Sequence, residues 1–193
     1  MEPRFSQKIK DYVKEVGGRT KASKNSFKEI EKLLKTTEAT RSNGRLRKGK
    51  MYCFRYFTPD EKAYDSYPVV IGLGKSDDGH QLGINLHYIP YLSRIRFVQS
   101  FLDSYAGSMR ESTMGAMALN AARQHSINVL NYFGIKGAFG NKFNMTRAIR
   151  QYKMDRMRYP IQLSYENWHL GVVNDENYFI GTNINEAQSK IYG

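Results

Sequence analysis

The sequence predicts an α+β chain: a small, half-open antiparallel β-barrel of the SH3 kind, with a helical N-terminal arm before it and a helical C-terminal portion after it. Three observations predict this. Residues 1–35 space their apolar side chains at the helical period. Three aromatic or β-branched runs between Met51 and Ile89 are separated by turn residues. Beyond Pro90 the helical period returns. The chain divides accordingly into a basic helical arm and linker (1–44), an aromatic barrel with a capping helix (45–106), and a helical portion with short C-terminal strands (107–193).

Taken in order, Phe5, Ile9, Tyr12, Val13 and Val16 form an amphipathic stripe that Gly17-Gly18 ends. The link RTKASKN follows, and Ser26 with Glu29 is a capping box opening a second helix through Phe27, Ile30, Leu33 and Leu34. Residues 36–50 are almost devoid of apolar side chains and read as a linker that stays mobile until a partner orders it. Strands are expected at 51–57, 68–74 and 79–89, the last alternating Leu82, Ile84, Leu86 and Tyr88 with polar or small residues. Asp77-Asp78-Gly79 supplies the hairpin turn between the second and third. After Pro90 a helix turns Leu92, Ile95, Val98 and Leu102 inward, and a capping box at Ser108 and Glu111 opens another through Met114, Met117, Ile127, Leu130 and Phe133. The glycine-punctuated segment 134–144 is a loop. Thr146 caps a helix over 146–158 with Ala148, Ile149 and Tyr152 on one side and Arg147, Arg150 and Arg158 on the other. The runs IQLSY, WHLGVV and YFIG read as short strands before a final helix near EAQSKIY.

The formal charge is +12, and it is unevenly placed. Residues 1–50 carry net +9, residues 136–158 carry +6, and the rest carries −3. Lys21, Lys24, Arg45, Arg47, Lys48, Lys50, Arg147, Arg150, Lys153, Arg156 and Arg158 are therefore the candidate binding residues. Such side chains neutralise phosphates whatever the base sequence, or grip acidic grooves on neighbouring proteins. No recognition-helix, zinc-finger or RNA-module signature accompanies them.

Other function classes find little support. The single Cys53 excludes an internal disulfide framework and a Cys-rich zinc site. Asp11 and Glu15 stand where a secretory signal would be apolar, and no run approaches the ~20 apolar residues of a membrane span, so an intracellular site or a particle assembled in the cell is expected. Gly72-Leu73-Gly74-Lys75-Ser76 resembles the end of a phosphate loop, but Val69 replaces its first glycine and a turn follows where a helix is required. His80, His87, His125 and His169 share no metal spacing, and His87 reads as a hydrogen-bonded structural residue. The paired acids at 60–61, 77–78 and 175–176 fit surface turns. No catalytic residue, metal, cofactor or small-molecule substrate is expected.

The run GKMYCFRYFTP…AYDSYPVVIGLG…GHQLGINLHYIPYLSRIRF resembles a virion protein family of contractile-tailed bacteriophages often labelled DNA end protectors. Its specific blocks are Tyr64-Asp65…Pro68 and Asn85-Leu86-His87-Tyr88; Tyr67, Val69 and Ile84 are conservative departures. The segment AIRQYKMDRMRYPIQLSYENWHLGV is similar to a later part of the same family. The resemblance implies a non-enzymatic protein that binds the end of packaged double-stranded DNA, or neck and tail components, in the virion and in the host cytoplasm during assembly. Tyr52, Tyr56 and Tyr152 are then candidate stacking rings for a terminal base pair. The alternatives are a tail or baseplate protein with protein-only contacts and, by analogy of fold, a small nuclease.

Overall fold

A computed structural model describes residues 5–35, 44–111, 148–175 and 179–192. Its helices are α1 (Phe5–Glu15), α2 (Arg19–Lys35), α3 (Tyr91–Glu111), α4 (Trp168–Val173) and α5 (Ile184–Tyr192). Its strands are β1 (Met51–Tyr56), β2 (Tyr64–Asp65), β3 (Val69–Lys75), β4 (Gln81–Asn85), β5 (Ile149–Tyr152), β6 (Met157–Leu163) and β7 (Phe179–Ile180). The chain is α+β, with a five-stranded antiparallel sheet in the order β5-β4-β3-β1-β6 and a separate β2-β7 pair. The SH3-like barrel is not confirmed: β5 and β6 are the two edges, and no pairing between them closes the sheet.

The aromatic density of β1 has a simple cause. Alternate residues of a strand point to opposite faces, and here both faces are covered. Met51 and Cys53 enter one core with Ile71, Ile84, Phe97, Phe101, Ile161 and Trp168, to which α1 adds Phe5 and Ile9, and α2 adds Ala22 and Ile30. Tyr52, Phe54 and Tyr56 enter a second core on the other face with Leu46, Tyr64, Val70, Tyr152 and Met157. There the Tyr152 ring meets Phe54 and Tyr56 edge-on, with centroids 5.1 and 5.2 Å away. Cys53 is buried, and loss of solvent pushes its thiol well above the ordinary range, so it remains a neutral space-filler.

Double-sided burial also explains the largest departure from the sequence pattern. Thr146, the expected cap, lies outside the described residues, and from Ile149 the expected helix over 146–158 is instead β5, a 3₁₀ turn at Met154–Arg156 and the start of β6. Ile149 and Tyr152 lie three apart, which suits a helix face, yet as strand residues they face opposite sides and each meets a core. Pairing of Ile149 with Ile84 and of Tyr152 with Gln81 overrides local helical propensity.

Other boundaries move for similar reasons. α2 begins at Arg19, directly after the glycines, because Ala22 N–H bonds the Gly18 carbonyl; Lys21 and Lys24 are thus helical, and Ser26 is buried inside the helix rather than capping it. α3 runs through Ser108 to Glu111, so no new helix is capped there, and Leu92 is 68% exposed instead of inward. WHLGVV is α4, not a strand, and is buried along most of its length. The remainder of the methionine-rich stretch and the loop 134–144 lie outside the described residues. The strands β1 and β3, the turn at Asp77-Asp78-Gly79, α1 and the C-terminal helix fall where expected, whereas β4 stops at Asn85 and Leu86–Tyr88 form a 3₁₀ turn, because the Asn85 side chain accepts the His87 N–H and ends the strand.

The two specific sequence blocks meet inside the fold. His87 Nδ1 lies 2.8 Å from Asp65 Oδ2, and Asn85 Nδ2 donates to the same oxygen at 2.9 Å. All three residues are buried. Asp65 Oδ1 accepts the Tyr67 N–H, so the carboxylate fastens β2 to the end of β4. Just beyond, the fully buried Arg94 donates to the carbonyls of Ile89, Val172 and Asn174 and pairs with Asp175 at 3.0 Å. Its charge is compensated on every side, as burial requires. These motif residues are architectural.

Candidate nucleic-acid interface

From Gly44 onward, the segment before β1 is not a linker but a ribbon fastened to the sheet. Leu46 N–H donates to Gln81 Oε1 at 2.8 Å and Arg47 N–H to Tyr52 Oη at 3.0 Å. Gly49 N–H donates to the Gly72 carbonyl, and Gly72 N–H donates to the Lys50 carbonyl, each at 2.9 Å. Leu46 is the apolar anchor, sunk in the aromatic core. With only that residue inward, the ribbon leaves Arg45, Arg47 and Lys48 exposed. Lys50 is half-buried, with its ammonium donating to Tyr165 Oη at 2.9 Å and lying 4.7 Å from the ring centre. Residues 36–43 lie outside the described residues.

Close approach depends on Gly72. A β-carbon there would lie 2.4 Å from the Arg47 carbonyl oxygen, inside any van der Waals limit. Gly72→Ala is therefore expected to lift the ribbon, lower stability by about 1–3 kcal/mol and accelerate hydrogen exchange at Leu46 and Gly49. An unchanged exchange rate at those amides would show that the ribbon does not need the glycine.

The ribbon starts against the 3₁₀ turn. A β-carbon on Gly44 would be 3.2 Å from Met154 Cε, which places Arg45 beside the Lys153–Arg158 segment. Two basic segments about a hundred residues apart in sequence thereby approach each other at Gly44 and Met154. Lys153 and Arg158 are exposed. Arg158 donates to the Asp155 carbonyl. Arg156 has a more local duty: it bonds Thr58 Oγ1 at 2.8 Å and pairs with Asp60, whose hydrogen bond holds the guanidinium above its ordinary pKa.

The remaining candidates lie elsewhere or outside view. Arg150 is half-buried, its guanidinium 4.0 Å from the Tyr88 ring centre and donating to the Ile149 carbonyl at 2.8 Å. Lys21 and Lys24 are exposed on α2, which packs chiefly on α4, α1 and β6. Arg147 lies outside the described residues. Tyr52, Tyr56 and Tyr152 are 1%, 6% and 3% exposed, which removes them as stacking rings. Burial raises the pKa of each phenol.

Sequence reasoning missed Arg55, Phe57 and Tyr159. Arg55 stands directly opposite Arg158 in the β1–β6 ladder, and Phe57 and Tyr159 are 60% and 61% exposed. The available signal was the alternation of β1, which sends residue 55 away from Tyr52, Phe54 and Tyr56. Among the described residues no group of three His, Cys, Asp or Glu could hold a metal ion, and no helix is long and apolar enough to cross a membrane.

The family model described as Phage T4 terminal DNA protecting protein matches residues 1–143, whereas neither the curated proteins nor the solved structures give a match. The matched span contains the ribbon, both motif blocks and Arg94, and it ends before the Lys153–Arg158 segment. With most of its length so matched, the chain belongs to the Phage T4 terminal DNA protecting protein family.

Proposed function

We propose that this protein binds the end of double-stranded phage DNA without catalysing a reaction, using the strip formed by Arg45, Arg47, Lys48 and Lys50 together with Lys153 and Arg158. The observation that carries this reading is the contact of Gly44 with Met154, which joins the two basic segments. Lateral alignment of cations suits the regular phosphate spacing of a duplex and reads no base. Exposure of Arg45, Arg47, Lys48, Lys153 and Arg158 lets them approach phosphate without first breaking the core. The order β5-β4-β3-β1-β6, with a 3₁₀ turn between the two edge strands, supports a half-open SH3-like barrel as the platform. The place of action is the virion, reached through the host cytoplasm.

Purified protein is expected to bind a blunt-ended linear duplex and shield it from an exonuclease. Affinity should fall steeply with salt, by about 0.9 in log–log slope for each phosphate neutralised. Absence of duplex binding at low salt would refute the reading. The duplex should stay intact throughout; cleavage that vanishes in His87→Ala would favour the nuclease alternative, although the burial of His87 against Asp65 argues against it. Contact with neck, tail or baseplate proteins is favoured by Leu92 and Ile180, apolar residues that are 68% and 49% exposed. Leu92→Asp should leave DNA affinity unchanged while weakening attachment to the particle.

A further inference from the structure

We propose that Phe57 and Tyr159, with Arg55 and Arg158 beside them, form a platform that stacks on the exposed face of the duplex's terminal base pair; this rests on the DNA-end reading above.

The rings are conspicuous because the surrounding sheet buries its aromatics so thoroughly. Tyr52, Phe54, Tyr56, Tyr64 and Tyr152 are at most 8% exposed, while Phe57 and Tyr159 are 60% and 61% exposed. The β1–β6 ladder brings them to one corner. Tyr56 pairs with Met157, Phe57 N–H donates to the Arg156 carbonyl at 3.2 Å, and Tyr159 follows one residue after Arg158 beside the irregularity between Cys53 and Arg55. Tyr159 has a φ of +53°, and it is the one non-glycine with positive φ among the described residues. That backbone conformation is costly for a side chain of this size, and it holds a ring in solvent rather than in a core.

Charge at the corner points to an anion. Arg55 and Arg158 are direct cross-strand neighbours, an arrangement of like charges that disfavours the ladder unless something negative lies over it. Of the nearby acids, Asp60 pairs with Arg156, and Arg158 is anchored by the Asp155 backbone carbonyl, which carries no net charge to offset the two guanidinium groups. A duplex end presents a flat π-face rimmed by phosphates. Rings flanked by arginines match that pattern, and stacking is indifferent to base identity, as protection of an arbitrary end requires. Met154 and Lys153 connect the corner to the ribbon, so the strip can follow the phosphates while the rings meet the end.

The experiment compares two linear duplexes of equal length, one blunt and one with both ends closed by hairpin loops that cover the terminal pairs. Wild type is expected to bind the blunt duplex about tenfold or more tightly. Phe57→Ser with Tyr159→Asn should reduce blunt-end affinity to the hairpin level while leaving hairpin binding and the salt slope unchanged; asparagine tolerates positive φ, so the backbone is retained. Phe57→Tyr with Tyr159→Phe should keep the preference, and thermal melting confirms that each variant is folded. Full blunt-end preference in the Ser/Asn variant, or equal binding of both duplexes by wild type, overturns the platform and leaves general DNA binding intact. Failure of wild type to bind either duplex overturns the reading beneath it as well.

Discussion

Arg45→Glu, Arg47→Glu and Arg158→Glu together should weaken binding to a blunt linear duplex by about a hundredfold or more at low salt and flatten the log–log salt slope by about 3. All three side chains are exposed. Folding stability is therefore expected to stay within about 0.5 kcal/mol of wild type for each. Reversing the exposed Lys21 and Lys24 on α2 is the control: it changes the net charge by four units against six, on a different element of the fold. Its effect should be confined to the weaker, long-range attraction that salt screens. Equal losses from both sets would mean that net charge, and not the strip, governs binding.

Arg94→Met should be among the most damaging single substitutions in the chain, lowering stability by about 3–5 kcal/mol and the melting temperature by roughly 10 °C. The guanidinium is completely buried and satisfies three backbone carbonyls together with Asp175. Methionine fills similar volume but donates nothing, so the carbonyls of Ile89, Val172 and Asn174 lose their shared donor and Asp175 loses its buried partner. Melting followed by circular dichroism measures this directly. A change below 1 kcal/mol, on the order of an ordinary surface substitution, would show that the cluster relaxes or admits water. DNA affinity of the folded fraction should be unaltered, because Arg94 does not reach the surface.

What could be read from the sequence followed from how many faces each element buries. α1 packs one face, so its stripe Phe5, Ile9, Tyr12, Val13, Val16 announced it. The Asp77-Asp78-Gly79 turn carried its own chemistry, with Gly79 at positive φ. β5 is covered on both sides and short, so Ile149 and Tyr152 produced a spacing that a helix explains equally well. The ribbon was hidden for a different reason: its fastening depends on Gln81, Tyr52 and Gly72, all distant in sequence, and only Leu46 is an apolar anchor within it. Charge partition identified both basic segments, but their meeting at Gly44 and Met154 is a property of topology. Which aromatic rings are exposed is not legible from composition, because alternation in β1 decides it: Tyr52, Tyr56 and Tyr152 serve the second core, while Phe57 and Tyr159 stand outside it.

The proposed function places the DNA end along the ribbon and the adjoining turn. Photo-crosslinking from a probe placed at the terminal phosphates of a blunt duplex, with the adducts mapped by mass spectrometry, tests it most directly. The account predicts crosslinks within residues 44–50 and 153–159 that are lost when Arg45, Arg47 and Arg158 are reversed. Crosslinks concentrated on α2 around Lys21 and Lys24, with 44–50 and 153–159 unlabelled, would contradict it.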